Sequence, residues 1–145
     1  MAEFKADPTR VYLTGYSMGG ASVYRIAYRW PERFAGVVVI AGFVLPPDRA
    51  PAPVVALDQR TNAFAAASDP FTALASRIAK IPIWIFHGAA DESLPVDQTR
   101  RLVAALEAIG APVRYTEGPK VDHIGAAQLG YADPEMVNWL LAQKR

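Results

Sequence analysis

The sequence predicts an α/β fold: a parallel sheet of about four strands flanked by helices. Three observations point to it. Strand-like and helix-like patterns alternate along the chain. Two apolar runs, Gly36–Gly42 (GVVVIAG) and Ile81–Gly88 (IPIWIFHG), are continuous, as strands covered on both faces must be. The stretch Val11–Glu32 (VYLTGYSMGGASVYRIAYRWPE) joins a short apolar run to a helical one through a glycine-rich turn.

Each element has its own local reason. Val11–Thr14 reads as a short buried strand. Ser17–Trp30 follows as a helix, with Val23, Ile26, Ala27 and Trp30 at helical spacing, and Pro31 stops it. After the second strand, Phe43–Lys80 is rich in Pro and Ala. Its first part, VLPPDRAPAPVV, cannot form a regular helix, whereas SDPFTALASRIAK can, with Ser68 or Asp69 as cap and Pro70 in the first turn. In the third strand, Pro82 is tolerable only near the start. Pro95–Ile109 is an amphipathic helix with Val96, Thr99, Leu102, Val103, Leu106 and Ile109 on one face and Gly110 just past its end. Val113–Glu117 (VRYTE) alternates, as a strand near a sheet edge does. A last helix is expected to start at Asp133-Pro134-Glu135 and to turn Met136, Val137, Leu140 and Leu141 to the core. One domain is expected over residues 1–145, with 43–80 as an insertion that holds a short helix and is a candidate lid.

Composition narrows the function classes. The formal net charge is +1 with the basic residues scattered, so no Lys/Arg stripe suits nucleic acid. No apolar run approaches the ~20 residues a membrane span needs. The N-terminal MAEFKADPTR is charged and lacks the apolar core of a secretory leader, which points to the cytoplasm. The absence of cysteine excludes disulfides, thiolate metal ligands and a cysteine nucleophile.

Gly15-Tyr16-Ser17-Met18-Gly19 matches G-x-S-x-G, with a strand before it and a helix after. A nucleophilic serine must be thrown clear of the sheet by a very tight turn. Such a turn crowds the residues two before and two after, so both are expected to be glycine-sized, while Gly20 and Ala21 let the helix lie close to the strand. The helix N-terminus puts the Met18 backbone N–H where an oxyanion would form. The plainer alternative is a glycine-rich turn in which Ser17 merely caps the helix.

A serine hydroxyl needs a base, normally a histidine oriented by a carboxylate. Only two histidines exist. His87 closes an apolar strand, where a packed residue with a structural hydrogen bond is the plain reading. His123 follows the last strand in GPKVDHIGAA, at the edge where parallel sheets bind ligands, and is the preferred base. For the acid, HGAADESLP offers Asp91, close to the strand end, and Glu92, which suits a solvated charge. Asp122 adjoins His123 and reads as surface, and Asp97 as an exposed helix residue. Asp91 is the preferred acid.

Together, DPTRVYLTGYSMGG, IPIWIFHGAADESLPV and a histidine loop ahead of YADPEMVNWLL resemble the α/β-hydrolase superfamily. The resemblance is greatest to bacterial carboxylesterases of the phospholipase/carboxylesterase, polyhydroxybutyrate-depolymerase-like and prolyl-oligopeptidase-like groups. It covers nearly the whole chain apart from Phe43–Lys80. It implies a Ser17–Asp91–His123 triad, an acyl-enzyme, a small ester substrate and no metal or organic cofactor. Tyr16 and Trp84 are candidates to line an acyl pocket. Such relatives often read GHN at the base, where this chain has VDHIG, which puts Lys120 and Asp122 on the rim of the site. They also carry a long N-terminal half before the serine turn, including a second oxyanion donor. Losing one donor costs about 10²–10³ in rate. On that comparison the chain is a truncated fold whose first strand becomes a sheet edge, and a homodimer through that strand is expected. The competing reading is a catalytically weak fragment acting as a folded oligomer or binding domain.

Overall fold

The computed structural model describes residues 5–48, 50 and 62–145. In chain order these form β1 (Tyr12–Tyr16), α1 (Met18–Arg29), β2 (Gly36–Ile40), α2 (Pro70–Ile78), β3 (Ile83–Gly88), α3 (Asp97–Ala108), β4 (Val113–Gly118), α4 (His123–Tyr131) and α5 (Met136–Ala142). Short 3₁₀ turns lie at Pro31–Arg33 and Ala63–Ala66. Residues 49 and 51–61, within the segment read as a candidate lid, lie outside the described residues.

The four strands are parallel and follow chain order, β1-β2-β3-β4. Tyr12 pairs with Gly36, Val37 with Ile83 and Ile83 with Val113. Every residue of β2 and β3 is buried, which explains their unbroken apolar runs. Successive residues go to opposite faces. Val37, Val39, Ile83 and Ile85 meet Val23 and Ala27 of α1, Leu74 and Ile78 of α2, and Leu102 and Leu106 of α3. Val38, Ile40, Trp84 and Phe86 meet Ala126 of α4 and Met136 and Leu140 of α5. The sheet is thus a middle layer, with β1 as one edge. No helix among the described residues is long and apolar enough to cross a membrane.

Asp69 caps α2, its carboxylate accepting from the Phe71 and Thr72 N–H groups. Elsewhere the helices depart from expectation in instructive ways. α4 occupies residues read as a loop; Gly125 and Gly130 weaken its helical signal. Asp122 caps it by accepting from the Gly125 N–H at 2.7 Å. α5 begins at Met136, because the Asp133 carboxylate accepts from the Glu135 and Met136 N–H groups and defers the first turn. Only Met136 and Leu140 of the expected four face the core; Val137 and Leu141 are half exposed. Ile109 lies past the end of α3 and is exposed, and Gly110, at φ +68°, turns the chain away. Trp30 is likewise exposed, with the Arg29 and Arg33 guanidiniums over its ring.

The β1–α1 turn is set by one close approach. A Cβ added at Gly15 would stand 2.3 Å from the Gly19 carbonyl oxygen, which is backbone and cannot step aside. The second glycine of the motif is different: a Cβ at Gly19 would meet nothing within 4 Å. Only one of the two positions expected to need glycine meets a neighbour. Gly15→Ala is therefore predicted to lower unfolding free energy by about 1–3 kcal/mol. Gly19→Ala should leave it unchanged or raise it by up to about 1 kcal/mol. Urea unfolding of the two variants checks this, and equal losses would contradict it.

Candidate active site

Ser17 stands between β1 and α1 with φ 56° and ψ −120°, a conformation that costs a non-glycine residue about 1–3 kcal/mol. Two backbone hydrogen bonds hold it there. Its N–H donates to the Ile40 carbonyl at the end of β2, 2.9 Å away, and its carbonyl accepts from Ala21 at 3.0 Å. The side chain makes no capping bond to α1, so the plain capping role does not apply. The hydroxyl instead lies 2.9 Å from His123 Nε2.

His123 is the first residue of α4. Its Nδ1 lies 2.6 Å from Asp91 Oδ2. A carboxylate oxygen accepts only, so Nδ1 carries the ring proton and the bare Nε2 faces Ser17. Tyr16, at the end of β1, donates its hydroxyl to the His123 carbonyl at 2.9 Å, and its ring lies 5.1 Å from the imidazole centroid. Burial first, then the negative charges of Asp91 and Asp122, push the Tyr16 phenol above its ordinary pKa. The phenol is therefore a hydrogen-bond donor at neutral pH.

Asp91 follows β3 in a tight loop. Its Oδ1 accepts from the Ser93 and Leu94 N–H groups at 2.9 and 2.8 Å, and its carboxylate is fully buried. The loop is pressed against the one leading to His123: Ala90 N–H donates to the Val121 carbonyl at 3.0 Å. Gly88 makes this possible, since a Cβ there would lie 2.1 Å from the Val121 oxygen. Three groups from the C-terminal ends of β1, β3 and β4 are thus brought within hydrogen-bond reach of one another.

The remaining sequence candidates separate clearly. Met18 is the first residue of α1 and largely exposed, with an N–H that has no acceptor within the helix. Glu92 and Asp97 are exposed; Asp97 pairs with Arg100. Asp122 is an exposed cap, and Lys120 is exposed beside it. Trp84 does not reach the site. It is 1% exposed in the core, stacked on Phe86 and edge-on to Trp139, with Nε1 donating to Thr116 and Arg114 over its ring. An aromatic residue in an apolar strand reads the same in sequence whether it faces a pocket or the core. Among the described residues, no group of three or more His, Asp or Glu is placed to hold a metal ion.

The family model of the dienelactone hydrolases matches residues 1–128. This chain belongs to the dienelactone hydrolase family. Among solved structures, a thermostable esterase is 32% identical, with a TM-score of 0.76 over 99% of this chain and 34% of its own. An acylaminoacyl peptidase of Pyrococcus horikoshii is 20% identical, with a TM-score of 0.65 over 86% of this chain and 22% of its own. Esterase PE8 is also 20% identical, at 0.57 over 88% and 51%. The last two share the fold. No match is found among curated proteins. The α/β-hydrolase resemblance thereby resolves to one family, and this dienelactone hydrolase family chain spans about a third of the thermostable esterase.

His87, the histidine set aside on sequence, proves to touch the same carboxylate. Its Nδ1 lies 2.8 Å from Thr99 Oγ1, and its Nε2 lies 2.9 Å from the Leu94 carbonyl and 3.3 Å from Asp91 Oδ2. Burial lowers its pKa below the ordinary 6.5, although the Leu94 carbonyl and Asp91 oppose that shift. Below about pH 6.5 the unfolded chain therefore binds a proton at His87 that the folded chain resists. The stability this group contributes is complete above that pH and is lost as pH falls toward its folded value. Urea unfolding between pH 8 and 5 should show a fall in stability that is smaller in His87→Gln. Parallel curves for the two proteins would contradict it.

Proposed function

We propose that this chain carries a serine carboxylesterase site that cleaves short-chain acyl esters through an acyl-enzyme. The reading rests on the continuous relay from Ser17 Oγ through His123 to Asp91, with hydrogen bonds of 2.9 and 2.6 Å. Ser17 Oγ attacks the ester carbonyl carbon while His123 Nε2 takes the hydroxyl proton. The carbonyl π pair moves onto oxygen, where the Met18 N–H at the start of α1 donates to the new oxyanion. Asp91 stabilises the imidazolium through Nδ1–H. When the pair returns, the C–O bond to the alcohol breaks, and the alcohol leaves with the proton from Nε2. Water, giving a proton to the same nitrogen, then attacks the acyl-serine; the carbon–Oγ bond breaks, Ser17 Oγ takes the proton back from Nε2, and the carboxylic acid leaves.

Each step is addition, elimination or proton transfer by these side chains. Tyr16, with its ring against His123, lines the acyl side. Family membership and the 32% identical esterase support an ester over an amide. A fluorophosphonate probe should label Ser17, and p-nitrophenyl acetate should be turned over. Ser17→Ala and His123→Ala are each expected to lower kcat/KM by about 10³-fold or more. Activity kept in His123→Ala but lost in His87→Ala would overturn the base. No labelling would favour the catalytically weak, binding-domain reading.

We also propose that two chains pair through β1, the edge of the sheet, whose outer backbone groups offer a template to another strand. Light scattering at micromolar concentration should give the mass of two chains. The mass of one would overturn the pairing.

A further inference from the structure

His87 is fully buried at the end of β3, and no step of the proposed reaction uses it. Its hydrogen bonds nonetheless determine its state. Nε2 faces the Leu94 carbonyl at 2.9 Å and Asp91 Oδ2 at 3.3 Å, both acceptors, so Nε2 carries the proton. In the neutral ring Nδ1 is then bare and accepts from the Thr99 hydroxyl of α3 at 2.8 Å. Thr99 is itself buried, at 1% exposure. Two imidazole N–H groups therefore converge on one oxygen, His123 at 2.6 Å and His87 at 3.3 Å. The other oxygen is held by the Ser93 and Leu94 N–H groups.

We propose that His87 is a positioning residue for the serine site: its Nε2–H, shared between the Leu94 carbonyl and Asp91 Oδ2, fixes the carboxylate and competes with His123 for the charge on that oxygen. The inference rests on the reading of Ser17, His123 and Asp91 as the reacting relay. A second N–H draws negative charge from Oδ2, so less remains to stabilise a proton on His123. With His87 removed, His123 becomes the sole side-chain donor to that oxygen and keeps its proton to higher pH. A protonated His87 would instead place a cation against the same oxygen and oppose the imidazolium that catalysis forms. The arrangement works with His87 neutral, which its burial favours.

The other charged or titratable groups facing this network are Glu117 and Tyr115 of β4, hydrogen-bonded to each other, with Arg100 of α3 paired to Glu117 at 2.7 Å. Asp122 before α4 and Tyr16 of β1 also face it. All are unchanged in the variants below, so their influence cancels in the comparison.

Asparagine and glutamine separate the two ring nitrogens. The amide of His87→Asn reaches the place of Nδ1 and keeps Thr99; that of His87→Gln reaches the place of Nε2 and keeps Asp91 and Leu94. Nitrogen-15 NMR titration of the histidine rings reads the result without any turnover. The wild-type chain should show His87 as the Nε2–H tautomer. The His123 midpoint should rise in His87→Asn and stay near wild type in His87→Gln. In p-nitrophenyl acetate hydrolysis, the acid limb of kcat/KM should move up with that midpoint. There kcat should fall about tenfold in the asparagine variant, with KM little changed. A role in packing alone would lower activity without moving either midpoint. An Nδ1–H tautomer in the wild type, or an unmoved His123 midpoint in His87→Asn, overturns the proposal. If neither variant folds, the wild-type tautomer decides. Failure of the fluorophosphonate to label Ser17 would sink the esterase reading and leave the NMR result standing.

Discussion

Asp91 carries a fully buried carboxylate on which four N–H groups converge, from Ser93, Leu94, His87 and His123. A buried carboxylate without partners costs several kcal/mol, and removing one partner from such a group costs about as much. Here two backbone N–H groups hold Oδ1, and His123 holds Oδ2 with His87 Nε2 standing 3.3 Å from it. The curl of residues 88–94, the seat of His87 on α3 and the start of α4 all answer to this one group.

The sheet explains why these groups meet at all. In a parallel sheet every strand ends on the same edge, so Ser17, Asp91 and His123 emerge side by side although their strands are far apart in sequence. The strain at Ser17 is carried by its neighbours. Its N–H is anchored to the Ile40 carbonyl of the adjacent strand, and Gly15 lets α1 turn back closely enough to keep the serine facing His123. The fully buried β2 thus supports Ser17 through a hydrogen bond at its end.

Much of this was legible in the residues. The continuous apolar runs foretold β2 and β3, and the turn between Tyr12–Tyr16 and Met18–Arg29 stood out through its glycines and its serine. Where the sequence misled, the physical reasons are specific. α4 carries two glycines and little periodicity, so its helical character comes from packing Ala126 and its neighbours onto β2 and β3. Val137, Leu141 and Ile109 look like core residues, but cap positions rotate or end their helices before they turn inward. Trp84 could not be assigned a side of the sheet from an unbroken apolar strand. The contact of His87 with Asp91 depends on how a loop curls back on its own strand, which leaves no periodic mark in the sequence.

Ser17 and His123, the nucleophile and base of the proposed reaction, are separated by 106 positions, with His123 on the later element. During synthesis Ser17 therefore leaves the ribosome before Asp91 and His123 exist to meet it. Its contact with His123 forms only when β4 has paired with β3 and α4 has packed on the sheet. A chain interrupted before that point carries the complete glycine–serine turn without His123 to meet it. The contact of Ser17, His123 and Asp91 is thus a property of the finished sheet.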